Sequence, residues 1–183
     1  MNSTSVQDMD LHFVKQKPEN NLSTVFDAKE LVIKGPWKTK SDAELFMLFA
    51  LPYADVLDYF RYDENELKNI PEDIRGLRNY SVRGLKKGSI GGTEFHRIRK
   101  EIILGLDGTV RIELEDMLGN KKNFEVNSQK GLYVPTFVLH TYEALENSSG
   151  LLVVANTLFN PEDPRTHDSY SKEMFNRLQA MYK

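Results

Sequence analysis

The sequence predicts an all-β domain of jelly-roll type over residues 76–183, preceded by an arm with short helices over 1–75 and closed by a C-terminal helix. Three observations carry this. Short apolar segments recur from Asn79 onward, with a turn signal about every ten residues. Apolar and polar residues alternate within them, most clearly where Val110, Ile112 and Leu114 interleave with Arg111, Glu113 and Glu115, giving one buried and one wet face. Pro161 and Pro164 then break the sheet pattern, and Met174, Phe175, Leu178, Met181 and Tyr182 follow helical spacing, as in a helix packed outside a barrel.

Residues 1–25 alternate polar runs with isolated apolar residues and read as an irregular arm; His12 there is an ordinary surface or packing histidine. Leu31-Val32-Ile33 forms a strand that Gly35-Pro36 should end, and Trp37 packs the arm onto the barrel. Ser41-Asp42-Ala43-Glu44 has the form of a capping box, so a short helix should follow and stop before Pro52. Tyr53, Val56, Leu57 and Phe60 mark one face of another helix. Strands are expected over Asn79 to Arg83, Glu101 to Leu106, Thr109 to Glu115, around Phe124 and Val126, over Leu132 to Val134, Val138 to Ala144, and Leu151 to Leu158. Asp107-Gly108 should close a two-residue hairpin between the second and third of these. His167, in the linker before the last helix, reads as a local turn contact.

At 183 residues the chain holds one domain with a proper core. There are no cysteines, which excludes disulfides, thiolate ligands and a cysteine nucleophile. The polar start shows no signal peptide and no apolar run approaches the roughly 20 residues of a membrane span, so a cytoplasmic protein with no membrane partner is expected. The net charge of -3 conceals a bias: between Arg75 and Lys100 eight basic residues face Glu94 alone. That concentration suits a small anionic ligand such as a nucleotide diphosphate, and Arg83, Lys87 and Arg99 are candidates to bind it. An acidic chain with no binding motif is not expected to take nucleic acid.

The chemistry is concentrated in Gly88-x5-Glu94-x-His96-x4-Glu101-x6-Gly108 and a later Pro135-x-Phe137-x-x-His140. Residues two apart on a strand share a face, so Glu94 and His96 project together. Glu101 begins the next strand, and His140 joins them if a later strand lies alongside. Gly91-Gly92 frees the backbone just before the site. Two imidazoles and two carboxylates converging in a small barrel suit proton transfer or a divalent metal.

These two motifs resemble those of the cupin superfamily, with Glu94 where most members have a first histidine and Phe137 where they have a glycine. From Arg78 to about Phe175 the chain resembles the nucleotide-sugar 3,4-ketoisomerases, which act on dTDP-4-keto-6-deoxyglucose. The likeness rests on Lys87-Gly88, Gly92, His96, Asn127-Ser128-x-x-Gly131-Leu132-Tyr133-Val134-Pro135, Asn147-Ser148-Ser149-Gly150-Leu151-Leu152-Val153-Val154 and Pro161-Glu162-Asp163-Pro164-Arg165. Where the family carries R-G-x-H-A-H, this chain reads Gly91-Gly92-Thr93-Glu94-Phe95-His96.

The resemblance implies an RmlC-like jelly-roll barrel, a homodimer, a role in polysaccharide biosynthesis and tautomerisation of a nucleotide-linked keto sugar without a cofactor. His96 and Glu94 would be the acid–base pair, with Glu101 or His140 orienting His96. Two other readings stay open. One is a metal-binding cupin enzyme, an isomerase, epimerase or dioxygenase holding Fe, Mn, Ni or Zn on Glu94, His96, Glu101 and His140; the other is a non-catalytic sugar-nucleotide-binding module.

Overall fold

The computed structural model describes residues 22–48 and 58–182; His12, Tyr53, Val56, Leu57 and the expected helix stop at Pro52 lie outside them. Two five-stranded antiparallel sheets face each other, as in a jelly roll. Sheet one runs β1 (Lys29–Val32), β9 (Lys130–Val134), β6 (Glu101–Asp107), β11 (Ser149–Thr157), β4 (Arg75–Leu85). Sheet two runs β12 (Tyr170–Ser171), β5 (Ile90–Phe95), β10 (Leu139–Ala144), β7 (Val110–Glu115), β8 (Lys121–Val126). A separate hairpin joins β2 (Lys34–Lys38) to β3 (Glu44–Met47), and the described residues include helices α1 (Glu64–Asn69) and α2 (Lys172–Tyr182). Among the described residues no helix is long and apolar enough to cross a membrane.

Alternation places the core. Val110, Ile112 and Leu114 point inward from β7 and meet Ile103, Leu132, Val134, Leu151 and Val153 of the facing sheet. Each such side chain, fully buried, contributes about 1.5–3 kcal/mol. Strand β6 is buried on both faces, because Ile102 and Leu104 turn outward under a second layer with Ile33, Phe60 and Tyr133. On the far side of sheet two, α2 lays Met174, Phe175 and Leu178 over Phe95, Met117, Leu139 and Tyr170. Met181, expected on that face, is exposed. Phe95 therefore faces the helix while its neighbours Glu94 and His96 face the barrel interior, and this alternation aims the site.

Three local expectations are corrected. After the apparent capping box the chain forms β3, not a helix: Thr39 N donates to the Ala43 carbonyl at 2.9 Å, Thr39 Oγ1 accepts from Ala43 N at 3.0 Å, and Asp42 takes a positive φ of 60°, closing a hairpin. Gly35-Pro36 does not end its strand but sits at the irregularity between the Lys34↔Met47 and Trp37↔Leu45 pairs, where a missing N–H costs no ladder bond. Asp107-Gly108 does turn the chain, with Gly108 at φ 60°, but β6 and β7 belong to opposite sheets. With two buried faces β6 suits the centre of sheet one, between β9 and β11. The wet face of β7 needs solvent and is accommodated in sheet two.

Candidate active site

Glu94 and His140 are cross-strand partners on β5 and β10. His96 follows β5 directly, and Glu101 opens β6 in the facing sheet, so the cluster spans the barrel. Gly91, where the ketoisomerase pattern has arginine, lies under the Tyr142 ring; a Cβ there would stand 2.4 Å from Tyr142 Oη.

The four expected side chains converge. Glu101, 2 % exposed, places Oε1 3.5 Å from His96 Nε2 and Oε2 3.5 Å from His140 Nε2. The imidazole centroids are 4.9 Å apart, and Glu94, His96 and His140 bring one ligand-capable atom each within 4.8 Å of one another. Arg99 was expected at a diphosphate. Instead it is 6 % exposed at the centre of the cluster, with Nε 3.1 Å from Glu101 Oε1 and Nη2 3.7 Å from Glu94 Oε1. Arg99 Nη2 also lies 2.7 Å from His96 Nε2 and 2.9 Å from Ser169 Oγ. Arg83 and Lys87 do not line the cavity described below: Arg83 is exposed on the face of β4 opposite Tyr80, and Lys87 sits in the exposed turn after it.

Residues that spacing did not single out complete the site. Tyr80 Oη donates to Glu101 Oε1 at 2.8 Å. Asp168 is buried behind His96. Arg78 shares the inward face of β4 with Tyr80, two residues on, and that period was readable in the sequence. A cavity of about 1290 Å³ extends from Glu94, Arg99 and Tyr80 past Arg78 to Phe159 and His167. The Arg78 guanidinium lies 5.6 Å from the Tyr80 ring centre and 5.2 Å from that of Phe159, and its Nε and Nη1 are buried without a hydrogen-bond partner among the described residues. Phe159 stacks on His167 at 5.2 Å, and His167 Nε2 bonds the Asn160 carbonyl at 3.2 Å, the local turn contact expected of it.

Electrostatics assign protonation. Burial alone would raise the Glu101 carboxyl, but His96, Arg99 and His140 together hold it below the usual carboxylate range. Burial, then the charge of Glu101, push the Tyr80 phenol up, so it stays protonated as a donor. Burial, reinforced by His96, lowers His140 from its ordinary value and favours a neutral ring. A histidine near 6.5 in the unfolded chain gains a proton that the fold refuses, so stability should begin to fall below about pH 6.5. Glu101 acts at lower pH: its contribution is present above about pH 4.5 and is lost as pH falls towards the folded value. Melting temperature followed downward from about pH 8 should show the first decline near pH 6.5, and His140→Gln should remove that limb; a flat profile to about pH 5 contradicts it.

The family model described as FdtA: WxcM-like, C-terminal matches residues 62–175. No curated protein matches the chain in sequence. Among solved structures, a 3,4-ketoisomerase from Helicobacter canadensis is similar with a TM-score of 0.56 and 20% identity, over 83% of this chain and 97% of that one. QdtA, a sugar 3,4-ketoisomerase from Thermoanaerobacterium thermosaccharolyticum in complex with TDP, is similar with a TM-score of 0.57 and 18% identity, over 87% and 99%. WlaRA, a TDP-fucose-3,4-ketoisomerase from Campylobacter jejuni, is similar with a TM-score of 0.57 and 18% identity, over 86% and 96%. At these identities the likeness speaks for the fold.

Proposed function

Because this chain belongs to the FdtA family, WxcM-like, C-terminal, we propose that it is a nucleotide-sugar isomerase that moves the ketone of a nucleotide-linked 4-keto-6-deoxyhexose from C4 to C3. The observation that carries this reading is one continuous cavity running from the Glu94–Arg99 end of the buried imidazole and carboxylate cluster to the unpaired guanidinium nitrogens of Arg78. One end suits proton transfer and the other a diphosphate.

The reaction needs no redox partner. His96 Nε2 takes the proton from C3, the electron pair forms a C3–C4 double bond, and charge collects on O4. Arg99 turns its Nη2 from His96 towards that oxygen and stabilises the enediolate, while Glu101 keeps hold of the guanidinium. His96 returns its proton to O4, while Glu94 takes the O3 proton and delivers it to C4, which leaves the ketone at C3. The C3–H and O3–H of the substrate have then become C4–H and O4–H, and the base and acid are restored. Binding at the far end orients the sugar, so the reaction draws on effective concentration as well as acid–base chemistry.

Arg78 supplies the anion contact that had been expected of Arg83 and Lys87. Hydrogen bonds to a charged group contribute about 1.5–3 kcal/mol, so Arg78→Met should weaken TDP binding by roughly tenfold or more in calorimetry. Unchanged affinity removes Arg78 from the diphosphate. For assembly we favour a homodimer, because β1 and the β2–β3 hairpin expose Val32, Trp37, Leu45 and Met47, with Trp37 and Leu45 paired across the hairpin.

The metal reading has one supporting observation, the mutual approach of Glu94, His96 and His140. Against it, Arg99 places a permanent positive charge 2.7 Å from His96 Nε2 and 3.7 Å from Glu94, within the space a divalent ion would take. The ketoisomerase reading is tested by incubating the purified protein with dTDP-4-keto-6-deoxyglucose in excess chelator and following the carbonyl carbons by NMR. Transfer of the ketone to C3 supports it. Turnover that needs added metal favours the alternative, and binding without turnover leaves a sugar-nucleotide-binding module.

A further inference from the structure

Asp168 contacts His96 and the turn after it in two ways. Its backbone carbonyl lies 2.5 Å from His96 Nδ1, and its carboxylate accepts the consecutive amides of Arg97, Ile98 and Arg99 at 3.1, 2.7 and 2.7 Å. Arg99 Nη2 also stands 2.8 Å from Nδ1, but the carbonyl is nearer and only accepts, so the shorter contact assigns the hydrogen to Nδ1. In the neutral ring the lone pair then sits on Nε2, the nitrogen facing Arg99 and Glu101.

The three amides fold residues 97–99 around one buried carboxylate. That turn brings the Arg99 side chain back beside His96, three residues earlier, where Ser169 Oγ receives it. The segment that carries Asp168 is fixed on both sides. Thr166 Oγ1 bonds the carbonyls of Asn160 and Asp163 at 2.9 and 2.8 Å. Tyr170 and Ser171 pair with Phe95 and Glu94 of β5, and the Tyr170 ring centre lies 5.3 Å from that of Phe95. Asp168 therefore couples a firmly held loop to the imidazole and to the guanidinium beside it.

We infer that Asp168 is a positioning residue that fixes His96 as its Nδ1–H tautomer and holds Arg99 against the imidazole. The inference rests on the reading of His96 as the proton carrier. Asp168 itself stays behind the imidazole, and its effect on turnover passes through His96 and Arg99.

The test joins a measurement on the unmutated protein to two variants. Imidazole ¹⁵N NMR, with His96 assigned by difference from His96→Asn, should show a protonated Nδ1 and an unprotonated Nε2 in the neutral ring. Asp168→Ala strands three amides and should lower kcat by roughly 10- to 100-fold with KM within about threefold, because a small misplacement of a reacting group costs that much. In that variant the His96 signals should move towards a mixture of tautomers. Asp168→Asn, which keeps an acceptor for some of the amides, should recover part of both properties. If Asp168→Ala does not fold, the unmutated spectrum and Asp168→Asn decide the matter. An Nε2–H tautomer in the unmutated protein overturns the inference, as does unchanged kcat in a folded Asp168→Ala. Absence of turnover in the unmutated protein defeats the ketoisomerase reading instead and leaves the tautomer measurement to judge Asp168.

Discussion

His96→Asn should lower turnover of the keto-sugar nucleotide by roughly 10²- to 10⁴-fold while leaving TDP affinity within about threefold, since it removes an acid–base group and nothing at the diphosphate. The substitution is conservative for the fold. An asparagine amide can still donate to the Asp168 carbonyl that now receives Nδ1, and His96 is buried among groups that supply other hydrogen bonds. What it lacks is a nitrogen lone pair that can take up a proton. Calorimetry with TDP and an NMR assay of ketone transfer separate the two effects. A variant that binds and turns over at near the unmutated rate would remove His96 from the chemistry.

Arg99→Met should damage both stability and turnover. Glu101 is 2 % exposed and ionised, and among the described residues Arg99 is its only permanently charged partner in the cluster, the others being two imidazoles and the Tyr80 phenol. Removing one partner of a buried pair costs about 3–5 kcal/mol. At about 2–4 °C per kcal/mol for a chain of this size, the melting point should fall by on the order of 10 °C. Turnover should drop too, because the enediolate loses its cation. The double variant Arg99→Met/Glu101→Gln, which removes the stranded charge, should regain much of the stability and none of the activity. Recovery of activity with stability would mean that Arg99 serves the fold alone.

The sheet sandwich was legible because alternation is a local property. The wet and dry faces of β7 follow from six consecutive residues. Strand pairing at longer range was not legible. Asp-Gly specifies a turn, yet whether its strands pair depends on which neighbours bury their faces, and β6 found better ones in β9 and β11. The serine and glutamate of the expected capping box failed for a related reason: the same residue types close a hairpin when an edge strand is available to pair.

At the site, Glu94, His96, Glu101 and His140 were readable because each stands at or beside a strand end with fixed spacing. The cations were not. Eight basic residues in one stretch look alike in sequence, and only the turn around Asp168 decides that Arg99 enters the cluster while Arg83 stays outside. Asp168 gave no signal of its own, being more than sixty residues from the groups it holds. Tyr80 and Arg78 would have followed from reading β4 as an eleven-residue strand, since both occupy its inward period.

The central claim is that this cluster moves a proton on a carbon next to a ketone. Incubating the unmutated protein with dTDP-4-keto-6-deoxyglucose in heavy water, and following the sugar by NMR, tests it directly. Deuterium should enter at C3 of the substrate and C4 of the product at a rate matching ketone transfer. A sugar that stays protonated at both carbons while bound to the protein would contradict the account.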